Sequence, residues 1–267
     1  MFETAVLRQI VEAWTRLRER LGVPTSGLIA VAVGIIALVG TLVIFGGVTE
    51  DVTRHNGVSS TDPARLRWFI DHRPGGLVTA ARYLSQVGSP VTLVLLVSVA
   101  AAVLWLCGQR LLLAIAPGLA LGFAGVGAAV GKVVVGRGRP PVPLHLVTES
   151  DPSFPSGHAT EATAVFMTLA LIVAVFMLRG PIARAVIVAT AGLLSLSVGA
   201  SRLVLGVHWP SDVIAGWAFG FATALAVTII ASLTVRIVPS RPASSGRLAK
   251  AMQIVTSERF GRPLQAA

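Results

Sequence analysis

Residues 111–140 read LLLAIAPGLALGFAGVGAAVGKVVVGRGRP, with no charged side chain until Lys132 and then three cations within eight residues. The apolar part is as long as the roughly 20 helical residues that cross a hydrocarbon core, so it predicts a membrane-spanning helix with a basic end. Five further runs read the same way, at residues 27–48, 91–107, 159–178, 182–200 and 213–235, the second of them the shortest. With 54% hydrophobic and 13% charged residues over 267 positions, the chain is too apolar for an ordinary soluble domain. The predicted fold is all-α, a polytopic membrane bundle of six transmembrane helices with short interfacial helices.

One domain over residues 27–238 accommodates all six runs. Residues 1–26 are too dense in charge for a cleavable signal peptide. Phe2, Val6, Ile10, Trp14, Leu17 and Leu21 recur at helical spacing opposite Arg8, Arg16, Arg18 and Arg20, which predicts an amphipathic interfacial segment or, equally, a solvated helix packed on the bundle. Residues 239–267 form a basic tail that begins as a linker. Residues 49–90 predict a loop with helical patches at 64–70 and 77–87. Gly118-x3-Gly122, Gly127-x3-Gly131 and Gly216-x3-Gly220 are spaced for close helix approach. Cys107, the only cysteine, excludes a disulfide framework and reads as a small buried hydrophobe.

Basic residues set the orientation. With the N-terminus inside, 13 of the 22 Lys and Arg residues fall on inside segments, and the bias predicts an integral inner or plasma membrane protein with both termini cytoplasmic. The net charge of +10 is spread over loops and tail, with one Tyr for stacking and no nucleic-acid module, so anionic lipid headgroups are the expected partner and nucleic acid is not.

Three polar clusters then share the extracytoplasmic end. In the first, Lys132 and Arg139 are seven residues apart and could reach one anion, although Gly136, Gly138 and Pro140 unwind the chain there; taken alone, Lys132 or Arg137 reads as a snorkelling anchor. In the second, Pro155-Ser156-Gly157-His158 precedes a span and predicts its N-terminal turn, where free N–H groups seat an anion and Gly157 permits close approach. Ser156 either donates its hydroxyl or caps the helix, and His158 alone reads as an interfacial histidine. In the third, Ser201-Arg202 is followed by His208 and then, four residues on, by Asp212. At that spacing a carboxylate can accept one imidazole N–H and leave the other nitrogen free to attack phosphorus. A structural His–Asp pair has the same spacing.

Lys-x6-Arg-Pro, Pro-Ser-Gly-His and Ser-Arg-x5-His-x3-Asp together resemble the signature of the type-2 phosphatidic acid phosphatase family of lipid phosphate phosphatases, with no departure in any of the three. The motifs cover residues 132–212. The resemblance implies that Lys132, Arg139 and Arg202 hold the phosphate oxygens with Ser156 and the backbone of Gly157. It implies that His208 attacks phosphorus, that His158 protonates the leaving oxygen and then activates water, and that Asp212 orients His208. No cofactor or metal is implied.

Other chemistries fit less well. Two histidines and a carboxylate could be a metal triad, but three nearby cations oppose a divalent ion. A serine hydrolase on Ser156, His208 and Asp212 lacks the Gly-x-Ser-x-Gly elbow. A related haloperoxidase would have a large soluble domain. A phosphotransferase would need the same residues, and a noncatalytic lipid-binding protein would not need both histidines. The expected substrate is a membrane amphiphile: a polyprenyl (undecaprenyl-type) diphosphate first, then phosphatidic acid or phosphatidylglycerol phosphate.

Overall fold

A computed structural model describes residues 25–237; the expected interfacial segment 1–26 lies almost wholly outside them, and the expected tail 239–267 wholly so. Nine α-helices follow in order among the described residues: α1 Thr25–Arg54, α2 Gly57–Ser60, α3 Asp62–Asp71, α4 Gly75–Val87, α5 Pro90–Leu106, α6 Leu111–Val135, α7 Gly157–Ile172, α8 Pro181–Val204 and α9 Pro210–Ile237. The last turn of α7 widens into a π-helical turn at Val173–Met177. Five of these helices, α1, α6, α7, α8 and α9, are long and apolar enough to cross a membrane, and α4 with α5, bent by 52° at their junction, makes the sixth candidate. The short second run is therefore α5, 17 residues long.

Local sequence sets the helix ends. Proline occupies the first turn of α5, α8 and α9, where its missing N–H costs nothing and its fixed φ suits the helix. Ser89 caps α5 by accepting the Thr92 N–H at 3.4 Å. Gly136, at φ 60°, ends α6 in the left-handed conformation, the usual glycine stop. Two expectations are corrected. The first span does not stop at residue 48 but runs on to Arg54, because Thr49 to Thr53 keep helical geometry and Asp51 accepts the Val58 N–H at 2.8 Å where the chain turns. Cys107 is not buried but exposed, since it caps the end of α5 beyond its packed face.

The bundle centres on α7, which packs on α6, α8 and α9. Leu93, Val97, Val165, Phe166 and Val198 form one core cluster; Leu113, Ala116, Ala120, Ala164 and Ile172 form a second. Helix α1 lies against α9 and turns most of its apolar surface outward. Small residues set the closest approach. A Cβ at Gly216 would stand 2.9 Å from the Ser156 carbonyl oxygen and from the Ala159 methyl, and one at Gly220 would strike the Thr160 carbonyl and stand 2.8 Å from the Thr163 Cβ. Gly127 and Gly131 likewise accommodate Phe219 and Pro155. Gly118 and Gly122, in contrast, face open space, so that pair sets no helix contact.

Gly220→Ala is expected to destabilise the protein by about 1–3 kcal/mol, the usual range for overpacking against backbone that cannot yield, whereas Gly118→Ala is expected to be neutral or slightly stabilising. Thermal unfolding in detergent compares them; equal melting temperatures for the two variants would remove the close-approach account of α7 and α9.

Candidate active site

The ends of α6, α7, α8 and α9 that carry the three clusters converge at one end of the bundle. Lys132 stands in the last turn of α6, Arg139 in the loop after it, His158 in the first turn of α7, Arg202 in the last turn of α8 and Asp212 in the first turn of α9. His208 precedes Pro210, the first residue of α9. The Ser156 N–H donates to the Asp212 carbonyl at 3.1 Å, which ties the starts of α7 and α9 together.

Lys132, Arg139, Gly157, His158 and His208 line one cavity of about 280 Å³, with Glu149, Asp151 and Glu161 among its other walls. Three residues expected at the site, Ser156, Arg202 and Asp212, stand behind that wall. The Ser156 hydroxyl is fully buried, makes no capping bond and has no partner. Its backbone, not its side chain, therefore begins the helix.

Each cation is held by a carboxylate. Lys132 Nζ bonds Asp151 and donates to the Pro152 carbonyl at 3.0 Å. Arg139 donates from Nη2 to Asp151 Oδ1 and from Nε to the Asp151 carbonyl, each at 2.7 Å, and lies 3.6 Å from Glu149. Arg202, 2% exposed, bonds Glu149 through Nη2 and the Ser85 hydroxyl through Nη1. Partial burial raises the Asp151 carboxyl, but bonds and charge from Lys132 and Arg139 outweigh it and bring its pKa down to about 2. Asp151 is thus an anion at any working pH.

His208 sits between an acceptor and a donor. Its Nδ1 lies 3.3 Å from Asp212 Oδ2, and Arg139 Nη1 donates to its Nε2 at 3.1 Å. An arginine only donates, so Nε2 offers its lone pair and Nδ1 carries the proton toward Asp212. Burial first, then the charges of Arg139, Arg202 and Lys132, hold the ring well below the ordinary histidine value of 6.5, against the pull of Asp151. The imidazole is neutral at pH 7, with its lone pair on the cavity side.

Behind His208 lies a network that includes residues outside the motifs. Asp212, with no exposed surface, accepts at Oδ2 the Trp209 N–H at 2.9 Å and at Oδ1 the Arg137 Nη1–H at 2.6 Å. Arg137 Nη2 donates to Asp62 of α3 at 2.7 Å, and its guanidinium lies 5.6 Å from the Trp209 ring centroid. Asp62 also accepts the Ser211 N–H at 2.9 Å and the Ser211 hydroxyl. Arg137 is therefore a partly buried bridge and not a snorkelling anchor, a role hidden in sequence because its two carboxylate partners lie 75 residues away, one on either side. Glu149 and Asp151 carried no signal beyond being rare acidic residues near the motifs.

Comparison with known proteins agrees with this architecture. The PAP2 superfamily pattern matches residues 111–236. The decaprenylphosphoryl-5-phosphoribose phosphatase of Mycolicibacterium smegmatis is 38% identical over 147 residues, 54% of this chain and 73% of that protein. The lipid A 1-phosphatase of Rhizobium etli is 36% identical over 120 residues, 40% of this chain and 46% of that protein. A crystal structure of a transmembrane PAP2-type phosphatidylglycerolphosphate phosphatase from Bacillus subtilis superposes with a TM-score of 0.67 at 24% identity, covering 76% of this chain and 98% of that one, which supports the fold. Sequence motifs, helix arrangement and relatives converge: this chain is an integral membrane lipid phosphatase and belongs to the PAP2 superfamily.

Proposed function

We propose that the chain hydrolyses a lipid phosphate or diphosphate without a metal, through a phosphohistidine at His208. The observation that carries this reading is the orientation of that ring: its proton faces Asp212 and its lone pair faces a cavity walled by Lys132 and Arg139. Phosphoryl transfer asks chiefly for positioning and charge stabilisation. Lys132, Arg139 and, behind them, Arg202 supply that charge, and a phosphate entering the cavity takes the place of the Glu149 and Asp151 carboxylates. The Gly157 N–H at the start of α7 completes the cradle, and Ser156, expected to add its hydroxyl, stands behind the wall and begins the helix.

In the first step Arg139 turns its Nη1–H from His208 Nε2 to the entering phosphate, the freed Nε2 lone pair forms a bond to phosphorus as the P–O bond breaks, and the leaving oxygen takes a proton from His158. The ring, now bonded at Nε2 and protonated at Nδ1, is cationic and rests on Asp212. In the second step His158 accepts the proton of a water that attacks phosphorus, the N–P bond breaks, and phosphate leaves. Three cations disfavour a divalent ion in the same cavity, which is the basis for metal independence.

The substrate is a membrane amphiphile whose headgroup enters while its tails stay in lipid, at the extracytoplasmic face, with both termini of the chain cytoplasmic. A polyprenyl diphosphate stands first: the M. smegmatis relative is named for a decaprenyl-linked phosphate. Phosphatidic acid and phosphatidylglycerol phosphate follow. A phosphotransferase reading uses the same first step with another acceptor in place of water.

Purified protein in detergent with EDTA is expected to release phosphate from a long-chain polyprenyl diphosphate or from phosphatidic acid; no release from either by folded protein favours the transferase. His208→Ala is expected to lower kcat by about 10⁴-fold or more while lipid binding persists, and Arg202→Ala to weaken both. Full turnover in His208→Ala overturns the nucleophile assignment. His158→Ala is expected to cost about 10²–10⁴-fold on a natural lipid and much less on a substrate with a very good leaving group; equal losses on both remove the acid role. Asp151→Asn, which takes away a carboxylate that competes for Lys132 and Arg139, is expected to tighten inhibition by inorganic phosphate by about two- to fivefold, since a half-exposed ion pair is worth up to ~1 kcal/mol. An unchanged inhibition constant would show that Asp151 does not hold the phosphate position.

A further inference from the structure

Asp62 lies outside all three motifs, on the short helix α3, yet it is 1% exposed and accepts three hydrogen bonds, two from Ser211 and one from Arg137. A buried carboxylate is retained only with strong compensation, and here its compensation is shared. Arg137 divides one positive charge between Asp62 and Asp212, at 2.7 and 2.6 Å. We infer that Asp62 is a positioning residue for the reaction: it takes up part of the Arg137 charge, so that Asp212 keeps a net negative charge for the cationic phospho-His208.

The charge count carries the inference. Asp62, Arg137 and Asp212 together hold one net negative charge behind a neutral His208. When the ring becomes cationic the four groups sum to zero. Without Asp62 the Arg137–Asp212 pair is already neutral, and the cationic ring is left as an uncompensated charge in a site with no exposed surface at Asp212 and 1% at His208. The other charges that act on His208, those of Lys132, Arg139, Arg202 and Asp151, do not replace this balance, because three of them are cations that turn to the phosphate. A transition state that develops the ring charge is therefore stabilised more than the ground state. Asp62 also fixes geometry: its bonds to the Ser211 N–H and to Arg137, which in turn bonds Asp212, tie the first turn of α9 and the Asp212 side chain to α3.

The inference rests on the phosphohistidine reading, and the experiment separates the two. Wild type and variants are purified in detergent and assayed with ³²P-labelled phosphatidic acid or polyprenyl diphosphate, whichever the wild type turns over, with rapid quenching in alkaline SDS to trap the phosphoenzyme. Absence of an acid-labile, base-stable phosphoryl label on wild-type protein, or its persistence in His208→Asn, overturns the phosphohistidine reading and this inference with it. With the label present, Asp62→Asn is expected to lower kcat by about 10- to 100-fold, less than the about 10²–10³ of a donor that touches the reacting group itself, with KM within about threefold. Asp62→Glu, which keeps the charge, is expected to stay within about fivefold of wild type. The deciding variant is the double substitution Asp62→Asn with Arg137→Gln: it restores one net negative charge and leaves an amide donor for Asp212, and it is expected to exceed Asp62→Asn alone in kcat by about fivefold or more. A structural role for Asp62 predicts the reverse, a double variant at or below the single one, and that result, or wild-type kcat in folded Asp62→Asn, overturns the inference. Should Asp62→Asn alone fail to fold, the folded double variant decides by itself: kcat within about tenfold of wild type supports the charge count, and a larger loss overturns it.

Discussion

Asp212 holds a carboxylate at a position with no exposed surface, and the site is arranged around what makes that tolerable. An isolated buried anion costs several kcal/mol or more. Here Arg137, the Trp209 N–H and His208 each meet one of its oxygens, while its backbone carbonyl takes the Ser156 N–H. The last bond joins the starts of α7 and α9, the helices that pack most extensively on each other. Gly216, one turn beyond Asp212, lets that packing close onto the Ser156 carbonyl. The apolar core and the polar end are thus not separate problems: the glycine that brings α9 against α7 also brings Asp212 to the turn that carries His158.

Carboxylates do for the cavity wall what Arg137 does for Asp212. Glu149 and Asp151 come from the loop between α6 and α7 and rest on Lys132, Arg139 and Arg202. They keep three cations from facing one another unscreened, and they are held less firmly than Asp212, since Asp151 remains half exposed. A loop carboxylate that is partly solvated can give up its cation to a phosphate and return to water at small cost, whereas a fully buried one cannot. Mobility of charge is therefore graded across the site: exchangeable at the wall, fixed behind His208.

That grading separates what was legible in the sequence from what was not. Hydropathy located the spans because lipid requires about 20 apolar residues whatever their partners are. His208 and Asp212 were legible as a pair because four residues make one helical turn. Asp62 was not, because its contact with Ser211 closes 149 residues of chain and nothing local marks an acidic helix start as buried. Arg137 stood two residues from a motif arginine and still read as a membrane anchor, since a cation at a span end is usually that. Spacing motifs among the glycines were informative only in part: Gly216 and Gly220 meet backbone, while Gly118 and Gly122 meet nothing. Periodicity reports which residues share a face but not which face finds a partner.

Charge arithmetic also bears on the metal-free reading proposed for the site. Among the ion-paired groups, Lys132, Arg139 and Arg202 against Glu149 and Asp151 leave one net positive charge, close to neutral and tolerable beside a bilayer. A dianionic phosphate entering this wall makes the sum mildly negative, and the displaced carboxylates move toward solvent, where their charge is cheaply hydrated. A divalent ion entering instead would raise that sum to three positive charges beside His208, a ring that on the proposed mechanism becomes cationic itself. Guanidinium groups reach the same phosphate oxygens with fixed, directional donors and carry no charge beyond what the loop already balances. The balance that makes buried Asp212 tolerable and the balance at the wall thus favour the same proposed partner, an anion that takes over the cations while the loop carboxylates return to water.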